Sequence, residues 1–281
     1  MKNYLKCIIP MIVILNFAIN VRCEMIKVSN ENRAVTEEFD RLQKIKEKGV
    51  LTILSPNEEF YSYKEPKSGS LHGLDADIIK EIAKRLEIKD IAVKYVAFPN
   101  ILEEFINNTN IDLIAQGLYI TDERKNLMNF TNPIYIEKDA VITRQDSNIN
   151  NKEDLKNAKI GLVGGTVYEL VAKNWKKQGL LKDYLVFFDY GSLQLALENK
   201  IVDAVLTESI IAENSVATKS KLKILSPNKY KAEINFNVGY PVKKEDTTLL
   251  NEINEKLQEM KKDGTVYDIL AKYGAVSHYI P

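Results

Sequence analysis

The side chain best placed to do chemistry is Arg124, the last residue of Gln116-Gly117-Leu118-Tyr119-Ile120-Thr121-Asp122-Glu123-Arg124. The apolar run 111–115 before it reads as a buried strand. Thr121 followed by Asp122 and Glu123 reads as a helix start, a capping hydroxyl with acids in the first turn. A strand ending in free backbone N–H groups beside an arginine is an anion receptor, and arginine grips a carboxylate through two parallel hydrogen bonds. Taken locally, the same residues also read as a plain strand–turn–helix connection whose arginine is solvated. A second junction of this kind follows the strand at 159–163: Gly164-Gly165-Thr166-Val167, then a helix over 168–178. It is not a phosphate loop, because the lysine spacing of that motif is missing. A third strand, 203–208, brings the Glu208 carboxylate to its C-terminal end, where ligands gather in open α/β sheets.

These residues need a scaffold, and 281 residues suffice for one large domain or two of ordinary size. The chain is 45% hydrophobic and 28% charged, a globular composition with enough apolar residues for a core. Its 39 basic and 39 acidic side chains cancel, so nothing argues for nucleic acid as a partner. The histidines are His72 and His278 and the cysteines Cys7 and Cys23, without CxxC, HExxH or a histidine cluster. That argues against a metal or thiol enzyme, and no cofactor is expected.

Residues 1–23 read as a signal peptide: a basic start with Lys2 and Lys6, then an apolar stretch over 7–19 too short to span a bilayer comfortably. Cys23 either precedes the cleavage point or carries a lipid. Arg22 beside it fits poorly with the small residue a lipoprotein site prefers. Removal of the leader takes Lys2, Lys6 and Arg22 with it and leaves a weakly acidic chain, periplasmic or otherwise extracytoplasmic. Residues 24–35 read as a tether.

Thr36 opens a helix through Phe39, Leu42 and Ile45. Strand 50–54, a loop at 55–59, an extended piece at 60–63 and a turn at 67–70 follow. An amphipathic helix carries Ile78, Ile79, Ile82, Ala83 and Leu86 on one face. Strand 91–96, helix 101–108 and strand 111–115 complete a first α/β segment with crossover helices. A second such segment spans 137–237. Strand 238–242 rejoins the first sheet, followed by helices at 249–260 and 266–272. Asp75 and Asp77 read as capping or structural acids, Trp175 as packing, and Tyr135 as hinge or core.

With these motifs in order, the chain resembles the bacterial extracellular solute-binding proteins of family 3, the polar amino-acid receptors of ABC importers. The resemblance covers about residues 45–274. It rests on Gly73-Leu74-Asp75-Ala76-Asp77-Ile78, on 112–117 with Ile120-Thr121-Asp122-Glu123-Arg124, and on Asn129-Phe130-Thr131-Asn132-Pro133-Ile134-Tyr135. The segments 161–166, 203–208, 239–244 and Lys262-Asp263-Gly264-Thr265 add to it. The resemblance implies a two-lobed, type II periplasmic-binding fold of two α/β lobes joined by two hinge strands. The first lobe would be 36–136 plus 238–281 and the second 137–237, closing on a ligand between them. It implies that Arg124 holds an α-carboxylate, helped by the backbone of Gly117 and Tyr119 and by the Thr166 amide. Glu208 would hold the α-ammonium.

Three positions depart from the family pattern. Tyr119 replaces a small hydroxyl residue, Glu208 stands where Asp is usual, and Val167 stands where a second hydroxyl is common. Phe60 or Phe98 would supply an aromatic wall. Glu58 and Glu59 either select a cationic side chain or are solvated. The function implied is a monomeric receptor that docks on a membrane permease, with no catalytic residue. The alternatives are an enzyme like cyclohexadienyl dehydratase on the same scaffold and a solute sensor acting through a partner.

Overall fold

A computed structural model describes residues 40–281, of which 42–281 form one compact unit. The leader, Cys23, the tether and the start of the first helix lie outside the described residues. The chain opens with α1 (Arg41–Lys48), β1 (Val50–Ser55), the hairpin β2 (Tyr63–Lys64) and β3 (Leu71–His72), then α2 (Leu74–Arg85) and β4 (Asp90–Tyr95). It continues with α3 (Ile101–Asn107), β5 (Leu113–Ile114), α4 (Asp122–Leu127), β6 (Asn129–Phe130) and the long β7 (Tyr135–Arg144). Then come β8 (Lys159–Val163), α5 (Tyr168–Lys177), β9 (Asp183–Phe187), α6 (Tyr190–Glu198), β10 (Ala204–Glu208) and α7 (Ser209–Thr218). The last elements are β11 (Leu222–Ile224), β12 (Asn235–Val238), β13 (Pro241–Val242), α8 (Thr247–Lys262) and α9 (Thr265–Lys272).

Two large sheets result, one per lobe, beside the two-stranded β2-β3 hairpin. The first runs β4-β1-β5-β13-β6, with β1 parallel to both β4 and β5. Leu51, Ile53 and Leu54 on β1 are fully buried, as a central parallel strand covered on both faces requires. The second runs β11-β7-β10-β8-β9, and β12 also pairs with β7. In both sheets the crossover helices cover the faces, as right-handed strand–helix–strand units do.

β7 begins against β12, with Tyr135 opposite Val238, and ends against β10 and β11. This antiparallel pair carries the chain out of the first lobe and back. The return differs from a single strand over 238–242. β12 pairs with β7, Gly239 and Tyr240 follow outside either strand, and β13 joins the first sheet. A Cβ on Gly239 would meet Ile120 Cδ1 at 3.0 Å and the Thr131 carbonyl at 3.1 Å, so a side chain there would require its neighbours to give way.

Residues 60–63 also differ. Residues 59–61 form a turn closed by the Glu58–Ser62 bridge, the Tyr61 and Ser62 amides both donating to the Glu58 carbonyl at 3.1 Å, and only Tyr63 is in a strand, β2. The strand expected at 111–115 shortens to β5. Asp112 uses its carboxylate to accept from the Thr52 amide at 2.7 Å. Helix α7 carries no clear amphipathic stripe because Ile210, Ile211 and Ala212 are buried in succession.

Buried acids brace the joint between the lobes. Asp75 accepts from Tyr240 at 2.8 Å and from Tyr135 at 3.1 Å, and burial pushes its carboxyl up to about 7. Glu137 on β7 accepts from Tyr61 of the first lobe at 3.3 Å and from Ser209 of the second at 2.9 Å. Burial foremost drives it up to about 8. Trp175 packs edge-on to Tyr230 and donates to Glu233 at 2.9 Å, a structural role.

Candidate functional site

The cleft is built from strand ends. In the first lobe β5 stops, residues 116–121 turn, and α4 begins. Thr121 caps it, accepting from the Arg124 amide at 3.3 Å. This fixes Arg124 in the first turn with its guanidinium folded back, and Nη1 donates to the Tyr119 carbonyl at 3.0 Å. Arg124 is only 7% exposed. Among the described residues it has no carboxylate within 4.0 Å. Burial lowers its pKa, an effect opposed by the phenols of Tyr119 and Tyr168 and by Glu123 and Glu208. A buried cation in this condition costs stability unless an anion completes it.

Gly117 is dictated by packing. A Cβ there would lie 2.7 Å from the Tyr61 ring. The backbone is thereby left open toward the cleft. Before it, Gln116 is almost fully buried and its Nε2 donates to Glu58 at 2.7 Å. The Gln116 Oε1 has no partner.

The second lobe supplies the opposite wall. β8 ends at Val163, and Gly165 takes a left-handed backbone with φ +74°. A Cβ on Gly165 would lie 2.9 Å from Pro99, so the two lobes touch there, beside Phe98. The Thr166 hydroxyl donates to the Val163 carbonyl at 2.7 Å, which commits its side chain locally. Helix α5 starts at Tyr168 without a side-chain cap. β10 ends in Glu208, which accepts from Thr207 at 2.7 Å. Glu208 and Glu58 each keep some accessible surface, yet their carboxyls sit deep among protein atoms. Burial raises both. Glu58 reaches about 8, pushed further by the Glu208 charge and held back by the Gln116 bond.

Glu58, Phe98, Gly117, Thr166 and Glu208 line one cavity, joined by Gln116, Tyr168 and Tyr190. The enclosed space is about 10 Å³, room for about one water, so a larger ligand enters with the lobes apart. Arg124 and Tyr119 do not line this cavity. Tyr119 meets Tyr168 hydroxyl to hydroxyl at 2.5 Å and packs its ring on Phe236. Phe60 is turned into the first lobe, against Tyr61 and Tyr273, and it lines an adjoining groove with Glu58 and Glu59. Gln116, Tyr168 and Tyr190 escaped the sequence reading. Gln116 offered a signal, an amide at the C-terminal end of a buried strand, whereas the two tyrosines look like ordinary helix residues. No group of three or more His, Cys, Asp or Glu side chains suited to a metal occurs among the described residues.

Two α/β lobes, a paired-strand joint and a charged cleft between strand ends define a two-lobed solute-binding protein. The profile of the bacterial extracellular solute-binding proteins, family 3, matches residues 51–276, and the chain belongs to that family. The chain is similar to the ABC transporter glutamine-binding protein GlnH of Bacillus subtilis, 28% identical over 88% of this chain and 89% of the other. Among solved structures it is similar to a mutant of the arginine-binding protein ArgBP of T. maritima. That match has a TM-score of 0.73 and 27% identity, and covers 83% of this chain and 99% of the other. The fold also matches an ancestral amino acid-binding protein, AncCDT-1, described as a precursor of cyclohexadienyl dehydratase. There the TM-score is 0.72 at 24% identity, over 83% of this chain and 98% of the other.

Proposed function

We propose that the chain is the extracytoplasmic receptor of an ABC importer, binding an amino acid between its lobes and delivering it to a membrane permease as a monomer. One observation carries this reading. Arg124 in the first lobe and Glu208 in the second are buried opposite charges, neither with a charged protein partner within 4.0 Å among the described residues. An α-amino acid supplies both counter-charges at once, and charges taken out of water bind well only when paired. Gly117 and the uncapped start of α5 add backbone donors for the carboxylate. The relatives named for glutamine and arginine support this ligand class.

In this reading the first lobe comprises 36–136 and 238–281 and the second 137–237. Residues 1–23 export the chain, with Cys23 as the point where a lipid anchor would attach. Phe98 and Tyr190 wall the side-chain end of the cleft, with Glu58 beyond them.

A thermal-shift screen against the amino acids tests the proposal, because a ligand that binds only the folded state raises its midpoint. No shift with any amino acid would refute it.

A second reading rests on Glu58, a carboxyl near neutral pKa inside the cavity and so suited to proton transfer. It makes the chain a cyclohexadienyl-dehydratase-like enzyme. Product release from prephenate or arogenate would support it, and its absence would end it.

A further inference from the structure

We propose that Glu58 and Gln116 act together as a cation selector, so that the amino acid bound here carries a positively charged side chain. The inference rests on the amino-acid reading above and names the ligand class within it.

Gln116 is 1% exposed and lines the cavity. Its Nε2 is held by Glu58, which fixes which way the amide points; the flipped amide would set two oxygens against each other. Its Oε1 is therefore left as a buried acceptor without a partner. Such an atom carries a desolvation cost that a ligand donor would relieve. Beside it lies the Glu58 carboxylate, also an acceptor when ionised. The corner thus presents acceptors from two residues, and the amide's donor end is already engaged. Ammonium and guanidinium groups carry several donors and no acceptor, which is the matching complement.

Charge leads to the same class. The cleft brings together one buried cation, Arg124, and two buried acids, Glu208 and Glu58. A neutral zwitterion would satisfy Arg124 and Glu208 and leave Glu58 a protonated, uncharged acid. An amino acid with a cationic side chain ionises Glu58 and pairs all three, as buried charges require. There is also room for a long side chain. Glu58, Tyr190 and Ile211 line both the cavity and an adjoining groove of about 440 Å³. That groove carries two further acids, Glu59 and Asp189, and one base, Lys219. Lys219 is tied to Glu198 at 2.7 Å. Asp189 lies within electrostatic reach of Glu58 and adds to the negative field there.

Calorimetry on the whole exported chain tests the inference with matched pairs, L-arginine against L-citrulline and L-lysine against L-norleucine. Citrulline matches arginine in length and norleucine is one atom shorter than lysine, and in each pair only the first member carries side-chain charge. The cationic member is expected to bind roughly 10- to 100-fold tighter, the range for a hydrogen bond to a charged group. Glu58→Gln is expected to collapse that ratio, with the thermal midpoint of the unliganded variant checking its fold. Equal or tighter binding of the neutral members would overturn cation selection while leaving the amino-acid receptor intact. A ratio unchanged in Glu58→Gln would overturn the role of Glu58. Failure of every amino acid to bind would remove the receptor reading and this inference together.

Discussion

Tyr119 and Tyr168 place their hydroxyl oxygens 2.5 Å apart, one at the end of the first lobe's strand–turn and the other at the start of the second lobe's α5. Burial drives both phenols well above their ordinary pKa, so each stays neutral and available as donor and acceptor. The contact joins the lobes without help from a ligand. Replacement of either tyrosine by phenylalanine removes the bond, which contributes about 1 kcal/mol. The unliganded chain is then expected to shift toward an open form. Small-angle scattering checks this: the radius of gyration of Tyr168→Phe should exceed that of the parent, and an unchanged radius would show that the contact does not hold the lobes.

Gly117 is a packing requirement of the site. A methyl group there would collide with the Tyr61 ring at 2.7 Å, and Tyr61 is tied to Glu137. Gly117→Ala is expected to cost ~1–3 kcal/mol by overpacking. Denaturant titration measures it. A midpoint shift near zero would mean that the ring moves aside freely.

Stability should depend on pH in an unusual sense. Asp75 titrates at about 7 and Glu137 and Glu58 at about 8, all raised by burial above their unfolded values. Between the ordinary carboxylate range and pH 8 the folded chain therefore holds more protons than the unfolded one. Stability falls as pH rises through that window. The fully buried Asp75 and Glu137 dominate, each contributing up to ~1.4 kcal/mol per pH unit while the imbalance lasts. His278, raised chiefly by its Glu213 and Glu137 neighbours against the effect of burial, acts in the same direction. The unliganded thermal midpoint should be higher at pH 5 than at pH 8, and Asp75→Asn should flatten the dependence. A midpoint that climbs toward pH 8 would contradict the buried neutral acids.

Ligand binding should also move a proton. Glu58 is largely protonated at pH 7 in the closed cavity. Its neighbours there are Gln116, Glu208, Tyr190 and Asp189, and the base lining the adjoining groove, Lys219, is paired with Glu198. A cationic side chain would ionise it and release the proton to solvent. The binding enthalpy should then vary with the ionisation enthalpy of the buffer, and affinity should rise toward pH 8. An enthalpy independent of buffer would show Glu58 already ionised.

Much of this architecture was legible in residue order. The α/β alternation, the Thr121 cap and the placement of Glu208 at the end of β10 follow from local patterns of period and capping. What escaped depended on distant partners. The turn at 59–61 arises because two amides converge on the Glu58 carbonyl, and the shortening of β5 accompanies Asp112 reaching Thr52. The split between β12 and β13 falls at Gly239 and Tyr240, a break that no periodicity records. Phe60 illustrates the limit at the site. Its neighbours in sequence line the cavity or groove, but its ring is claimed by Tyr61 and Tyr273. Gln116 acquires meaning only through Glu58, 58 residues away in sequence.

An amino-acid receptor of this design requires Arg124 and Glu208 to divide the two charges of the ligand between the lobes. Calorimetric titration of Arg124→Ala with the amino acid that gives the largest thermal shift tests it most directly. The loss predicted is roughly 2–5 kcal/mol of binding free energy, since the ligand carboxylate would be buried without its partner. Affinity equal to that of the parent chain would take Arg124 out of the site and contradict the account.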